Sequence, residues 1–141
     1  MDRHATYDKN NIFARMLRGE MACYKVYEDD DVFALLDIMP LSEGHTLVLP
    51  KEPAMNLMDI SPETLSKLIV VTQMLAGKVM SAVEAEGVQI IQRSFEAAGQ
   101  EVFHFHMHVI PRFKGEPLRE RDLVPDQALK TIQSKIVAAV G

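Results

Sequence analysis

Cysteine is almost missing from this chain of 141 residues, where Cys23 stands alone. One thiol cannot supply an internal disulfide, a CxxC redox pair or a cysteine-based zinc knuckle, and Cys23 reads as a small buried strand residue. Tryptophan is absent and aromatic residues reach only 6%, so the interior must be built mainly from aliphatic side chains. Basic clusters are absent too. The 15 lysines and arginines are scattered against 20 acidic residues, a net charge of −5. That excludes a basic stripe for gripping nucleic acid, while leaving room for a local site that takes a small anion. Long apolar runs are also lacking: "LIVV" and "IVAAV" fall far short of the roughly 20 residues that span a bilayer. The opening "MDRHATYDKN" has acidic residues and lacks the apolar stretch of a secretion signal. No nucleic-acid partner, no membrane partner and a cytoplasmic location are expected.

What is there is an ordinary globular composition, 48% hydrophobic and 25% charged with 7 Gly and 7 Pro, in a length that fits one domain over residues 1–141. "NIFARMLRGE" reads as a short helix capped by Asn10 or Asn11 and stopped at Gly19. "CYKVYEDDDVFALLDI" holds two strand-like runs around an acidic turn at Asp29 to Asp31, a hairpin. "HTLVLP" is a third strand, ended by a proline. A long helix starts at the Ser61 cap with Pro62 in its first turn and ends near Gly87. Its apolar stripe comprises Leu65, Leu68, Ile69, Thr72, Leu75, Ala76, Val79, Ala82 and Val83. "VQIIQ" (88–92) and "VFHFHMHVI" (102–110) supply two more strands, and "DQALKTIQSKIVAAV" after Pro125 a weaker amphipathic helix through Leu129, Ile132, Ile136 and Val140. Mostly neighbouring strands with helices between groups predict an α+β fold with an antiparallel sheet.

The chemistry concentrates in "HFHMHVIPRF". If 102–110 is a strand, His104, His106 and His108 share one face, and Phe103, Phe105, Met107 and Val109 share the other, which enters the core. The three histidines have three readings. They are polar spacers on a half-buried strand, or ligands of a metal, or a catalytic set acting on an anion. Same-face residues lie about 6.7 Å apart along a strand, so His104 and His108 are roughly 13 Å apart. Zinc holds its nitrogens at about 2 Å; no HExxH or cysteine pair assists, and His4 falls in a tail. In the catalytic reading one neutral imidazole attacks phosphorus while its neighbours orient it or donate hydrogen bonds. Gly99, in the loop before the strand, would let a phosphate approach its backbone N–H closely.

"HFHMHVI" resembles the His-φ-His-φ-His-φ-φ signature (φ, apolar) of the histidine triad (HIT) superfamily. "IFARMLRGE", "KVYEDDDVFALLDI", "GHTLVLP", the long helix and "AGQ" follow in that family's order. The likeness covers about residues 11–112 and is nearest to the histidine-triad nucleotide-binding branch, leaving 113–141 as a C-terminal extension with a helix. The resemblance implies a five-stranded antiparallel sheet with a long helix and shorter helices packed on it, and a homodimer whose two sheets join. It also implies a purine nucleotide or nucleotide conjugate as ligand. The implied activity is a metal-independent nucleotidyl hydrolase or transferase that cleaves phosphoramidates, acyl-adenylates or dinucleoside polyphosphates at the α-phosphate, with no cofactor. By the same resemblance His106 is the nucleophile that forms a nucleotidyl-histidine intermediate. His108 contacts the phosphate, His104 positions the nucleophile, and His45 is a fourth, supporting histidine. Asp37 would hold the ribose hydroxyls, as its paired acceptor oxygens suit. Ile12, Phe13, Leu35 and Ile38 would surround the base, and Gly99 and Gln100 would lie at the phosphate.

Two departures from the pattern flank the same loop. Arg93 stands where relatives have Asn, and Glu101 where they have a Ser or Thr thought to assist the leaving group. Their opposite signs suggest that they face each other, with Arg93 neutralising the carboxylate or turning to a phosphate oxygen. They also open a second reading, a nucleotide-binding regulatory module whose catalysis has been lost. Asn11 and Ala14 occupy the positions of a Cys-x-x-Cys found in many bacterial relatives, and Pro53 the place of a histidine that often follows "PK"; no structural zinc is expected.

Overall fold

The computed structural model of the protein describes residues 6–141; His4 lies outside them. Strands β1 (Lys25–Glu28), β2 (Val32–Leu36), β3 (Thr46–Pro50), β4 (Gly87–Gln92) and β5 (Met107–Arg112) form one antiparallel sheet in the order β1-β2-β3-β5-β4. Helix α1 (Ile12–Leu17) precedes the sheet, α2 (Pro62–Val83) joins β3 to β4, and α3 (Asp126–Val140) closes the chain.

Local chemistry accounts for most boundaries. The Asn11 side chain accepts the Ala14 N–H at 2.9 Å, capping α1, and Ser61 Oγ accepts the Thr64 N–H at 3.2 Å, capping α2. In the hairpin turn, Asp29 Oδ1 accepts the N–H groups of Asp31 and Val32, both at 2.8 Å, so its carboxylate does the work of a turn. Helix α2 stops four residues earlier than Gly87: Glu84 takes the left-handed conformation (φ 56°) and caps the helix, while Gly87 opens β4. By length and composition alone α2 is apolar enough to cross a membrane, but Leu68, Thr72, Leu75, Val79 and Val83 are buried, as in a core helix. Ile69, expected in that stripe, is instead 46% exposed; it lies at the stripe's margin, next to the exposed Val70.

The period-two alternation of the strands divides the interior into two layers. Val32, Ala34 and Leu36 of β2, Val48 of β3, and Met107 and Val109 of β5 pack with α2 and α3. Phe33 and Leu35 of β2 with Leu47 and Leu49 of β3 pack on the opposite face with Phe13 of α1. Leu47 pairs with both Leu35 and His108 in the ladder, so His108 belongs to this second face. His45, two residues before Leu47, lies on it as well.

Gly44 sets up that placement. Its φ is +90°, and a Cβ there would meet Val83 Cγ1 at 3.0 Å, so both the left-handed backbone and the close approach of α2 require glycine. Gly44→Ala is expected to cost about 1–3 kcal/mol, read as a lower denaturation midpoint at an unchanged slope.

The expected strand at 102–110 is corrected. β5 begins only at Met107, because the β4 ladder ends at Gln92 opposite Met107. Upstream the backbone changes partner: the Phe105 N–H donates to the Ala54 carbonyl at 2.7 Å. Phe105, Met107 and Val109 enter the core as expected, whereas Phe103 lies outside the strand and is only partly buried. Cys23 is also corrected: it precedes β1 and is half-buried at the wall of the cleft described below.

Candidate active site

The second face of the sheet carries a cleft of about 530 Å³, within the range of small-molecule sites. Ile12, Phe13, Leu35 and Ile38 line it, as do Asp37, His106, His108, Arg93, Gly99 and Glu101. Phe13 and Leu35 are also core residues, while Ile12 and Ile38 are 41% and 42% exposed, an apolar surface left open beside the histidines.

The histidine rings are fixed by a chain of hydrogen bonds that determines which nitrogen carries each proton. The Leu41 N–H donates to His45 Nδ1 at 3.0 Å, so in the neutral ring the hydrogen sits on Nε2. That Nε2–H donates to His108 Nδ1 at 2.9 Å, which leaves His108 with its own hydrogen on Nε2, a donor for the cleft. His106 Nδ1–H donates to the His104 carbonyl at 2.7 Å, so its Nε2 keeps an unshared pair. His104 Nε2–H donates to the Pro50 carbonyl at 2.8 Å, and the Tyr7 hydroxyl donates to His104 Nδ1 at 2.6 Å. One ring thus offers a nucleophilic lone pair and its neighbour an N–H, with the other two holding them in those states. The ring of His106 is packed edge-on between Phe13 and His108, with centroids 4.9 and 5.0 Å away.

Burial keeps these rings neutral. Desolvation lowers His45 to about 4 against the attraction of Asp37. It lowers His104 to about 4 despite the Pro50 carbonyl, which favours the charged form. His108 falls to about 2, with His106 and His45 adding to desolvation, and His106 is lowered by burial against the pull of the His104 carbonyl.

Asp37 is buried, and its carboxylate accepts the Met39 N–H at 2.9 Å. Arg121 Nη1 bonds Asp37 Oδ2 at 3.2 Å. Reasoning from the sequence missed Arg121 and Tyr7. Neither sits in a motif, and each reaches the site across a long stretch of chain, so no local signal marks them. The segment before α3 carries Arg121 along the 38–41 loop, with the Arg119 N–H on the Leu41 carbonyl at 2.7 Å and the Val124 N–H on the Ile38 carbonyl at 3.1 Å.

Two expectations for the phosphate loop, those for Gln100 and the Gly99 N–H, are corrected. Gln100 is buried away from the cleft: its Nε2 donates to the Met55 carbonyl at 2.6 Å and the Val102 carbonyl at 3.1 Å, and its Oε1 accepts the Phe95 N–H at 2.8 Å. With donors and acceptor all engaged, it clamps the loop. The Gly99 N–H is engaged too, donating to the Glu96 carbonyl at 2.9 Å; glycine is needed there for φ +92° and because Arg93 Cδ lies 3.1 Å from where a Cβ would be. Arg93 and Glu101 both line the cleft, but among the described residues no ion pair joins them. The arginine lies over Gly99, and Glu101 is solvent-exposed. As for metals, Asp37, His45 and His108 place one ligand atom each within 4.8 Å of one another, a set that spacing within the triad does not foretell. The His45–His108 hydrogen bond would have to give up its proton for an ion to bind there.

The family profile for the HIT domain matches residues 18–115. The chain belongs to the HIT family. A Hit-like protein of Bartonella henselae, described as involved in cell-cycle regulation and crystallised with an unknown ligand, is 44% identical. It superposes with a TM-score of 0.90 over 95% of this chain and 99% of that one. An uncharacterised HIT-like protein of Borreliella burgdorferi is 42% identical over 108 residues, 74% of this chain and 77% of its own. The adenylylsulfatase HINT3 of Arabidopsis thaliana is 30% identical over 136 residues, 92% of this chain and 69% of its own. The HIT signature in this chain is the segment that contributes His104, His106 and His108, and the five-stranded HIT fold holds them.

Proposed function

We propose that this HIT protein is a nucleotidyl hydrolase or transferase that cleaves purine nucleotide conjugates at the α-phosphate through a nucleotidyl-His106 intermediate. The observation that carries the reading is the state of His106. Its Nδ1–H is tied to the His104 carbonyl, its Nε2 has a free electron pair, and burial keeps the ring neutral. In the first step Nε2 attacks the α-phosphorus; the N–P bond forms as the bond to the leaving group breaks with its electron pair. The His108 Nε2–H donates to a non-bridging phosphate oxygen as charge develops there. Water then attacks phosphorus, the N–P bond breaks, and a nucleoside monophosphate departs with a proton released. The apolar wall of Ile12, Phe13, Leu35 and Ile38 takes the base, and Asp37 takes the ribose hydroxyls. The named activity of HINT3 in Arabidopsis supports a nucleotidyl substrate.

Brief exposure of the protein to adenosine 5′-phosphoramidate, followed by quenching and mass spectrometry, tests this reading. A gain of one nucleotidyl group on His106 is expected. AMP binding without any adduct would favour instead the regulatory module whose chemistry is lost. The cytoplasmic location belongs to the same proposal.

The reading includes a homodimer joined at the β4 edge. Among the described residues α3 covers the other edge, with Gln133 Nε2 donating to the Lys25 carbonyl at 2.8 Å, whereas β4 pairs only with β5. Next to that open edge Ile69, Val70 and Ile90 are 46%, 62% and 41% exposed and border one shallow groove. Pairing across a two-fold axis would satisfy the unpaired backbone groups and cover this apolar strip. Sedimentation is expected to give a dimer for the wild type and a monomer for Ile90→Lys; an unchanged mass in the variant would reject the interface.

A further inference from the structure

The three tyrosines of the chain all donate hydrogen bonds, but to different kinds of partner. Tyr24 and Tyr27 donate to the carboxylates of Asp126 and Asp29. Tyr7 donates to a ring nitrogen, His104 Nδ1, at 2.6 Å across 97 positions of chain, and the two rings meet edge-on with centroids 5.7 Å apart. His104 is only 1% exposed, so without the phenol its Nδ1 lone pair would be buried and unmatched. The direction of the bond follows from its neighbours. The Pro50 carbonyl can only accept, which puts the ring proton on Nε2, and the Asn11 side chain donates to the phenol oxygen, which leaves the phenol hydrogen for Nδ1.

A short turn holds Tyr7 in place. The Asn10 N–H donates to Asp8 Oδ1 at 2.8 Å, Asn11 Nδ2 to the Asp8 carbonyl at 2.7 Å, and Arg18 Nη1 to the Lys9 carbonyl at 2.8 Å, so residues 8–11 are fixed against α1. Phe13 of that helix lies edge-on to His104 as well as to His106. Tyr7 and the helical wall of the cleft thus dock on the histidines as one unit.

The backbone gives this contact its weight. His106 Nδ1–H is oriented by the His104 carbonyl, yet residue 104 lies upstream of Met107, where both ladders of β5 end. Strand pairing therefore does not place that carbonyl. The Phe105 N–H is tied to the Ala54 carbonyl, and the His104 ring is held at both nitrogens, by the Pro50 carbonyl and by Tyr7. From this geometry we infer that Tyr7 is a positioning residue for the nucleophile: by holding the His104 ring at Nδ1 it fixes the carbonyl that aims His106 Nε2 into the cleft. The inference rests on the nucleotidyl-His106 reading and adds the segment before α1 to the working parts of that site. Tyr7 itself does not line the cleft, so its effect falls on the attacking ring and not on the bound nucleotide.

The test uses Tyr7→Phe, which keeps the edge contact with His104 and removes only the hydroxyl. A second variant carries 4-aminophenylalanine at position 7, which keeps an N–H donor in the same place. Single-turnover formation of the His106 adduct from adenosine 5′-phosphoramidate is expected to slow roughly 3- to 10-fold in Tyr7→Phe, the worth of one hydrogen bond. AMP affinity should stay within about twofold of the wild type, and the aminophenylalanine variant should recover part of the rate. By NMR, solvent exchange of the His106 Nδ1–H should quicken in Tyr7→Phe with no matching change in the core amides of α2, which separates loss of aim from loss of stability. An unchanged adduct rate, or a slower rate accompanied by an equal loss of AMP binding and of α2 protection, would overturn the role of Tyr7. A wild type that forms no adduct would overturn the catalytic reading instead. The exchange measurement still decides the contact in that case, because equal His106 exchange in wild type and Tyr7→Phe would show that Tyr7 does not hold the ring.

Discussion

His106→Asn is expected to abolish the nucleotidyl adduct and to lower kcat/KM by a factor on the order of 10³ or more, the scale of losing a covalent nucleophile. Asparagine is the informative replacement. Its amide N–H can still donate to the His104 carbonyl, now held by His106 Nδ1 at 2.7 Å, and its size preserves the packing between Phe13 and His108. What it lacks is the second ring nitrogen with its free pair. AMP affinity should therefore stay close to that of the wild type, because the base wall, Asp37 and the His108 N–H are untouched. Equilibrium binding of AMP beside single-turnover kinetics separates the two effects. A variant that loses binding as well would show that the ring serves mainly to hold the nucleotide.

Stability should fall steeply as the pH drops from about 6.5 toward 4. The unfolded chain takes up histidine protons near pH 6.5, whereas His45 and His104 in the folded chain are lowered to about 4 by burial. Between those values the unfolded state binds more protons, so acid favours unfolding; above about 6.5 the full stability is present, and below about 4 these two rings contribute no further slope. Each amounts to about 3 kcal/mol across the window, against a typical total of about 5–15 kcal/mol. His108, lowered to about 2 with His45 as one cause, continues the trend at lower pH. Glu28 and Asp29 are held below their ordinary carboxylate values, Glu28 by its bonds to Lys51 and Lys25 and Asp29 by hydrogen bonds that outweigh its burial, so they add to the acid lability only as the pH approaches the carboxylate range. Urea unfolding at a series of pH values from 8 to 5 checks this. The midpoint should hold steady above about 7 and decline below 6.5. His104→Gln, which removes one buried imidazole, should show a shallower decline. A midpoint independent of pH down to 5 would mean that the rings accept protons as readily in the folded chain as in water.

Much of the fold was legible because its signals are local. Asn11 and Ser61 cap helices through side-chain oxygens that bond the next turn, Asp29 makes its own turn, and two-residue alternation in β2 and β3 sorts side chains onto the two faces of the sheet. The end of α2 was misplaced because a left-handed cap is most cheaply made by glycine, and here Glu84 makes it instead. The strand before Met107 was overextended because apolar-polar alternation continues back to Val102. Alternation reports which way side chains point, not which neighbour receives the backbone hydrogen bonds, and the Phe105 N–H goes to Ala54.

The site divides along the same line. By itself the sequence determined the histidine signature, its likeness to a family, and a neutral nucleophile as the best use of three such rings. Only the tertiary structure decided which nitrogen of each ring is free, since that depends on Leu41, Pro50, Tyr7 and the His104 carbonyl, brought together by chain folding. It also decided that Gln100 clamps the loop, that Arg121 holds Asp37, and that Arg93 lies over Gly99. The physical reason is range. Residue type and periodicity act over a few positions of chain, whereas proton placement, desolvation and charge pairing are properties of whatever lies within a few ångströms in space.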